Sequence, residues 1–124
     1  MLGFKFWYEF QPPEDLVAKI SSLKSPLGVT ASYLTLDGFV IELMQYSVPG
    51  VMKPFRVRAM NDPGLTHLSI SVDDVRATAK KAVEYGGQIL EDTDIGVGIF
   101  IRDPDGQLLE LLHSSLRATA PPKP

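Results

Sequence analysis

The sequence predicts an α+β protein built from two related modules, the first of which lacks its opening strand and helix. Three observations carry this reading. Behind the turn Asp62-Pro63-Gly64, residues Leu65 to Val72 alternate apolar and polar, and a helical pattern follows at once. Asp37-Gly38 and Asp105-Gly106 each lie between apolar runs and read as β-hairpin turns. The stretches behind those turns also match without a gap. Asp37-Gly38-Phe39-Val40-Ile41-Glu42-Leu43-Met44-Gln45 recurs as Asp105-Gly106-Gln107-Leu108-Leu109-Glu110-Leu111-Leu112-His113, an offset of 68 residues (105 − 37). Turn, apolar pair, carboxylate and apolar pair return in the same places, which duplication explains better than chance.

The chain opens in an aromatic strand, where Phe4, Phe6, Tyr8 and Phe10 alternate with Lys5, Trp7 and Glu9. At strand spacing such a row belongs in a core more often than along a pocket. Gln11-Pro12-Pro13 ends the strand, and Glu14 to Leu23 predicts a short helix with Leu16, Val17, Ile20 and Leu23 on one face. Val29 to Leu36 and Phe39 to Tyr46 are the arms of the first hairpin. Ser47 to Gly64 carries Pro49, Gly50, Pro54, Pro63 and Gly64 and reads as a linker. In the strand that follows, Leu68, Ile70 and Val72 share one face, while His67, Ser69 and Ser71 take the other. Asp73 or Asp74 caps a helix from about Asp74 to Tyr85, with Val75, Ala79, Ala82 and Val83 as its apolar stripe. Gly86-Gly87 stops it. Strands at about Gln88–Glu91, Val97–Arg102 and Gln107–His113 complete a strand–helix–strand–strand–strand unit.

One domain of two modules follows from this order: an incomplete module over 1–48, a linker over 49–62, a complete module over 63–113 and a flexible tail over 114–124. If the modules match, Leu2-Gly3-Phe4 corresponds to Tyr85-Gly86-Gly87. The missing strand and helix, with the counterpart of His67, then fall upstream of Met1.

Composition narrows the function. At 124 residues, 44% hydrophobic and 22% charged, the chain suits a single folded domain. A net charge of −3 with no basic cluster argues against nucleic acid as a partner. No apolar run approaches the roughly 18 residues of a membrane span, and Met1-Leu2-Gly3-Phe4-Lys5-Phe6 lacks the order of a signal peptide. Zero cysteines exclude disulfides, thiolate ligands and cysteine nucleophiles. The expectation is a cytoplasmic protein that acts on a small molecule.

Two glutamates stand out. Glu42 shares a strand face with Val40 and Met44, and Glu110 shares one with Leu108 and Leu112. A carboxylate among apolar neighbours is costly to bury unless it is paired, protonated or bound to a metal. The plain alternative is that both faces meet water. Recurrence at one offset, with His67 on the polar face of the same unit, favours a shared site. Histidine and carboxylate donors suit a divalent ion such as Zn, Ni, Co, Mn or Fe. His113 falls on the face opposite Glu110 and reads as a surface histidine. Arg56 and Arg58 are candidates to hold an anionic substrate, although solvated linker charge is the plainer reading. Asp103 and Asp105 belong first to a turn.

Taken in order, several short motifs resemble the vicinal oxygen chelate superfamily, the glyoxalase/bleomycin-resistance/dioxygenase fold, from Met1 to about His113. They are Leu2-Gly3-Phe4, Leu36-Asp37-Gly38 with Ile41-Glu42-Leu43, Asn61-Asp62-Pro63-Gly64-Leu65-Thr66-His67, Val72-Asp73-Asp74, and Arg102-Asp103-Pro104-Asp105-Gly106 with Leu109-Glu110-Leu111. The resemblance implies paired βαβββ modules that form a curved mixed sheet around a metal ion. It also implies Glu42, His67 and Glu110 as ligands of a divalent metal. A fourth ligand, a histidine on the first module's opening strand, has no counterpart in this sequence. Keeping both glutamates points away from the extradiol dioxygenases and toward lyase, isomerase or epimerase chemistry. By likeness to glyoxalase I and methylmalonyl-CoA epimerase, Glu110, or else Glu42, would move a proton beside a carbonyl of a small metabolite. Two other readings are a metal-free ligand-sequestering protein of the bleomycin-resistance type and an inactive paralogue. A homodimer is expected, because an absent strand and helix leave a sheet edge and apolar surface for a partner to cover.

Overall fold

The computed structural model describes residues 1–48, 50 and 58–119. Arg56, most of the expected linker and the end of the tail lie outside the described residues. Two compact units divide the chain, Gly3–Val57 and Met1–Leu2 with Arg58–Pro124.

The first unit is an open antiparallel sheet of β1 (Lys5–Phe10), β2 (Val29–Leu36) and β3 (Phe39–Tyr46), in that spatial order, with α1 (Glu14–Ser21) between β1 and β2. Glu14 and Asp15 place negative charge at the positive end of the α1 dipole. Ser22 enters the left-handed region at φ 57° and stops the helix two residues short of the expected Leu23. Glu14 also works outside the helix. Its carboxylate accepts the backbone N–H groups of Leu27, at 2.5 Å, and Gly28, at 3.2 Å, which ties the helix start to the approach of β2. Of the expected apolar stripe only Val17 is buried, with Leu27 and Val29. Leu16, Ile20 and Leu23 are exposed, because α1 packs through Val17 on Leu27, Val29 and Tyr46, where β2 starts and β3 ends.

The aromatic row in β1 does not form a core, and it does not share one face. Phe6 pairs with Leu34 and Tyr8 with the adjoining Tyr33, so the register slips at Trp7. Neighbouring positions on β2 point to opposite faces, and the bulge therefore sends Phe6 to the Leu34 side and Tyr8 and Phe10 to the Tyr33 side. Among the described residues β1 has a neighbour on one side only, and all six of its residues are exposed.

The second unit contains β4 (Leu68–Val72), α2 (Val75–Glu84), β5 (Gln88–Leu90), β6 (Gly98–Arg102) and β7 (Leu108–His113). Its sheet order is β4-β7-β6-β5, with β4 parallel to β7 and the other pairs antiparallel. This is the expected strand–helix–strand–strand–strand unit. Asp74 is the cap: its side chain accepts the N–H of Ala77 at 2.8 Å. At the other end the N–H groups of Gly86 and Gly87 bond to the carbonyls of Val83 and Ala82. Val75, Ala79 and Ala82 pack on Ile99, Ile101, Leu109 and Leu111, with Leu68, Ile70 and Val72 alongside. Val83 lies off this stripe and is exposed. Eight residues past Val75, it stands about 80° round the helix. Short 3-10 helices follow β5 at Glu91–Thr93 and β7 at Ser114–Thr119, so the start of the expected tail is regular.

The two hairpins differ by one residue. Leu36 pairs with Phe39 across a two-residue turn, whereas the Asp103 N–H bonds to the Gln107 carbonyl across three residues. β3 and β7 keep the offset of 68, while β2 and β6 are offset by 67 (100 − 33). Tyr33 therefore stands opposite Glu42, and Phe100 opposite Glu110.

Candidate active site

His67 stands immediately before β4, not within it, and the expected eight-residue strand is five residues long. Pairing with β7 begins at Leu68 opposite Leu109. Ahead of it the Arg58 guanidinium donates to the carbonyls of Pro63, at 2.5 Å, and Leu65, at 2.7 Å, and so draws the chain into a turn. Gly64 accommodates that turn at φ +104°, and a Cβ there would lie 3.1 Å from Arg58 Nη2. Arg58 is thus a backbone clamp ahead of His67.

The turn sets the His67 side chain beside Glu110. Nε2 is 3.5 Å from Glu110 Oε2, and the two side chains are 23% and 24% exposed, so water competes only partly for them. On its other edge, Nδ1 is 2.9 Å from Thr66 Oγ1. In the tautomer with the proton on Nδ1, Thr66 accepts it and Nε2 presents its lone pair. The ring stands edge-on to Phe100 at 5.1 Å and 81°. Ser69, opposite Glu110 in the parallel ladder, donates its hydroxyl to Glu110 Oε2 at 2.5 Å. Ser71 Oγ, two residues on along the same face, is shielded from solvent and has no hydrogen-bond partner among the described residues.

In the first unit Glu42 has a different attachment. The Tyr33 hydroxyl donates to Glu42 Oε1 at 2.7 Å. That hydrogen bond, helped by burial and by the negative charge of Glu42, pushes the Tyr33 pKa up to about 12. Tyr8 stacks on Tyr33 at 4.7 Å and 6°, and Phe10 lies 6.2 Å from it. Trp7 meets Tyr8 and Tyr33 edge-on, at 4.9 and 6.4 Å. This aromatic group beside Glu42 has a signal in the sequence: counting back across the two-residue turn pairs position 33 with position 42.

Of the three sequence-predicted ligands, the second unit brings His67 and Glu110 together, and Glu42 belongs to the first unit. Among the described residues no three His, Asp or Glu side chains gather in one group that could hold a metal. His113 engages Ser115 Oγ at 2.7 Å, at the start of the 3-10 helix that follows β7. Asp103 accepts the Gln107 N–H at 2.7 Å and serves its turn.

The family description Glyoxalase/Bleomycin resistance protein/Dioxygenase superfamily matches residues 2–111. Among solved structures, a glyoxalase family protein from Bacillus cereus is similar at TM-score 0.70 and 19% identity, over 90% of this chain and 78% of that one. The trypanothione-dependent glyoxalase I of Leishmania major is similar at TM-score 0.65 and 23% identity, over 95% and 74%. A glyoxalase family protein from Enterococcus faecalis is similar at TM-score 0.55 and 23% identity, over 90% and 79%. At such identities the likeness is one of fold. No curated protein matches the chain in sequence. No helix among the described residues is long and apolar enough to cross a membrane. With a family match over nearly its whole length and a strand–helix–strand–strand–strand unit behind it, the chain belongs to the glyoxalase/bleomycin resistance protein/dioxygenase superfamily.

Proposed function

We propose that the protein is a metal-dependent lyase or isomerase of the glyoxalase or epimerase kind, acting on a small carbonyl-containing metabolite by proton transfer. The His67–Glu110 pair carries this reading. His67 Nε2 and Glu110 Oε2 lie 3.5 Å apart, close enough for both to hold one first-row divalent ion. A bound Zn, Ni, Co, Mn or Fe ion would polarise the carbonyl oxygen and so acidify the neighbouring C–H. His67 and Glu110 are proposed to hold it, with Glu42 added on the strength of the sequence repeat alone. Thr66 Oγ1 can accept a proton carried on Nδ1, the tautomer that leaves Nε2 free to bind. Ser69 engages Oε2 of Glu110 and leaves Oε1 to take or return the substrate proton. Glu42 is the other candidate base, with Tyr33 on its Oε1.

Thermal shift of the purified chain with each divalent ion tests the proposal. A chelator-reversible rise in Tm is expected, and His67→Ala or Glu110→Gln should abolish it. No stabilisation by any of the five ions would overturn it.

A second reading, metal-free ligand sequestration, has its own support. Trp7, Tyr8 and Phe10 are exposed around Tyr33 and offer ring surface to a flat ligand. Ligand stabilisation that survives chelator favours this reading.

A further inference from the structure

The bulge at Trp7 gathers aromatic rings on one face of the first unit. Tyr33 lies opposite Glu42 and Ala31 opposite Met44, so these four share the face that takes Tyr8 and Phe10. The rings of Tyr8, Tyr33 and Phe10 are near parallel, with interplanar angles of 6°, 20° and 26°. Trp7 stands across them, at 86° to Tyr8 and 87° to Tyr33.

These rings pack on one another and still meet solvent. Trp7, Tyr8 and Phe10 are 59%, 40% and 42% exposed, and Met44, in register with Phe10 through Ala31, is exposed as well. A contiguous apolar surface of this kind marks a place where a folded protein takes a ligand or a partner. Aromatic faces also carry partial negative charge and attract cations.

Glu42 sets the sign of the ligand. Its side chain is exposed, and the Tyr33 hydroxyl engages Oε1 alone. Among the described residues no Lys, Arg or His forms an ion pair with Glu42. Lys5, the one basic residue of these three strands, stands opposite Thr35, one row nearer the turn. Oε2 therefore has no partner among the described residues and can accept a hydrogen bond from a ligand cation. A neutral ring laid over this face would shield the carboxylate from water without pairing it, and an anionic one would be repelled.

We infer that this face binds a protonated amine carried on an aromatic ring, an arylalkylammonium ion. Its ring lies against the row of Trp7, Tyr8 and Phe10, and its ammonium group donates to Glu42 Oε2. Tyr33 itself spans the distance from the row to Glu42 with one ring and one hydrogen bond. A ligand ring set against the row thus needs a chain of only about two or three carbons to bring its nitrogen to the carboxylate. The inference rests on the ligand-sequestration reading and gives that reading a ligand class.

The test uses the 124-residue chain in excess chelator and reads the fluorescence of Trp7, its single tryptophan. Three probes are titrated: phenethylammonium, the uncharged 2-phenylethanol and the anionic 3-phenylpropionate. Phenethylammonium should change the signal saturably and bind about tenfold or more tightly than either of the others. Glu42→Gln, at an exposed position, should erase that preference and leave the weak binding of the alcohol as it was. Equal binding of amine and alcohol, or an undiminished preference for the amine in Glu42→Gln, overturns the inference but leaves a metal-free site for flat ligands. A saturable change with none of the three overturns the inference and also removes the ring surface as support for sequestration.

Discussion

Leu111 and Leu43 occupy the same place in the two repeats, yet replacing each by alanine should have very different effects. Leu111 is 0% exposed and is enclosed by Val75, Ala79, Ala82, Ile99, Ile101 and Leu109. Leu→Ala removes three carbons, about 2.4 kcal/mol of transfer free energy at about 0.8 kcal/mol each, and the unrelaxed cavity raises the loss to about 3–4 kcal/mol. Leu43 is 54% exposed and has no helix above it. Its truncation leaves no cavity, so the cost should be about 1 kcal/mol or less. Urea titration followed by circular dichroism reads both. With a slope of about 1–3 kcal/mol per molar, Leu111→Ala should lower the midpoint by about 1–4 M and Leu43→Ala by about 1 M or less, about three- to fourfold less at the same slope. Equal losses would refute the asymmetry and show that the Leu43 face is covered in solution. A loss below about 1 kcal/mol at Leu111 would refute the packing assigned to α2.

Other perturbations test the site and its supports. Of the four tyrosines, Tyr33 should titrate near pH 12 by absorbance, and Glu42→Gln should bring it back toward 10.0. Because folding raises this pKa, the Tyr33–Glu42 contact stabilises the protein fully below about pH 10 and is lost as pH climbs to about 12. Ordinary titration of all four tyrosines would exclude the bond. A Cβ at Gly87 would lie 2.6 Å from the Arg102 carbonyl oxygen and 3.0 Å from that of Ala82, both backbone atoms. Gly87→Ala should therefore lower Tm measurably, and a wild-type melt would show that α2 and β6 are not so close. Arg58→Ala frees the carbonyls of Pro63 and Leu65. The His67 ring signals in an NMR spectrum should then broaden or shift while those of His113 hold; unchanged His67 signals would deny the clamp.

Local chemistry made much of this legible in advance. The alternation from Leu68 to Val72, the Asp74 cap and the Gly86 stop act within a few residues of themselves, and β4 and α2 fall where they say. His67 dropped out of its strand because Arg58, nine residues earlier, bonds the intervening backbone, and no periodicity records such a contact. The aromatic row failed as a core for a similar reason: one bulge at Trp7 reverses the faces on either side of it. α1 carries an apolar stripe that a helix wheel finds, but what it packs on depends on the sheet, and that corner offers it Leu27, Val29 and Tyr46. His67 with Glu110 was readable as a pair from strand faces. The Ser69 bond to Glu110 was not, since it required knowing that β4 pairs with β7 in parallel.

The unequal cores also set an order of opening. Among the described residues, seven buried side chains form the core of the second unit and three the cluster under α1. Partial unfolding begins where the least apolar surface must be exposed, so the first unit should open at lower denaturant and be the first cut by proteases. The single tryptophan, Trp7, lies in that unit. An intrinsic-fluorescence melt would thus follow the weaker half alone and report the chain as less stable than the half that carries His67 and Glu110.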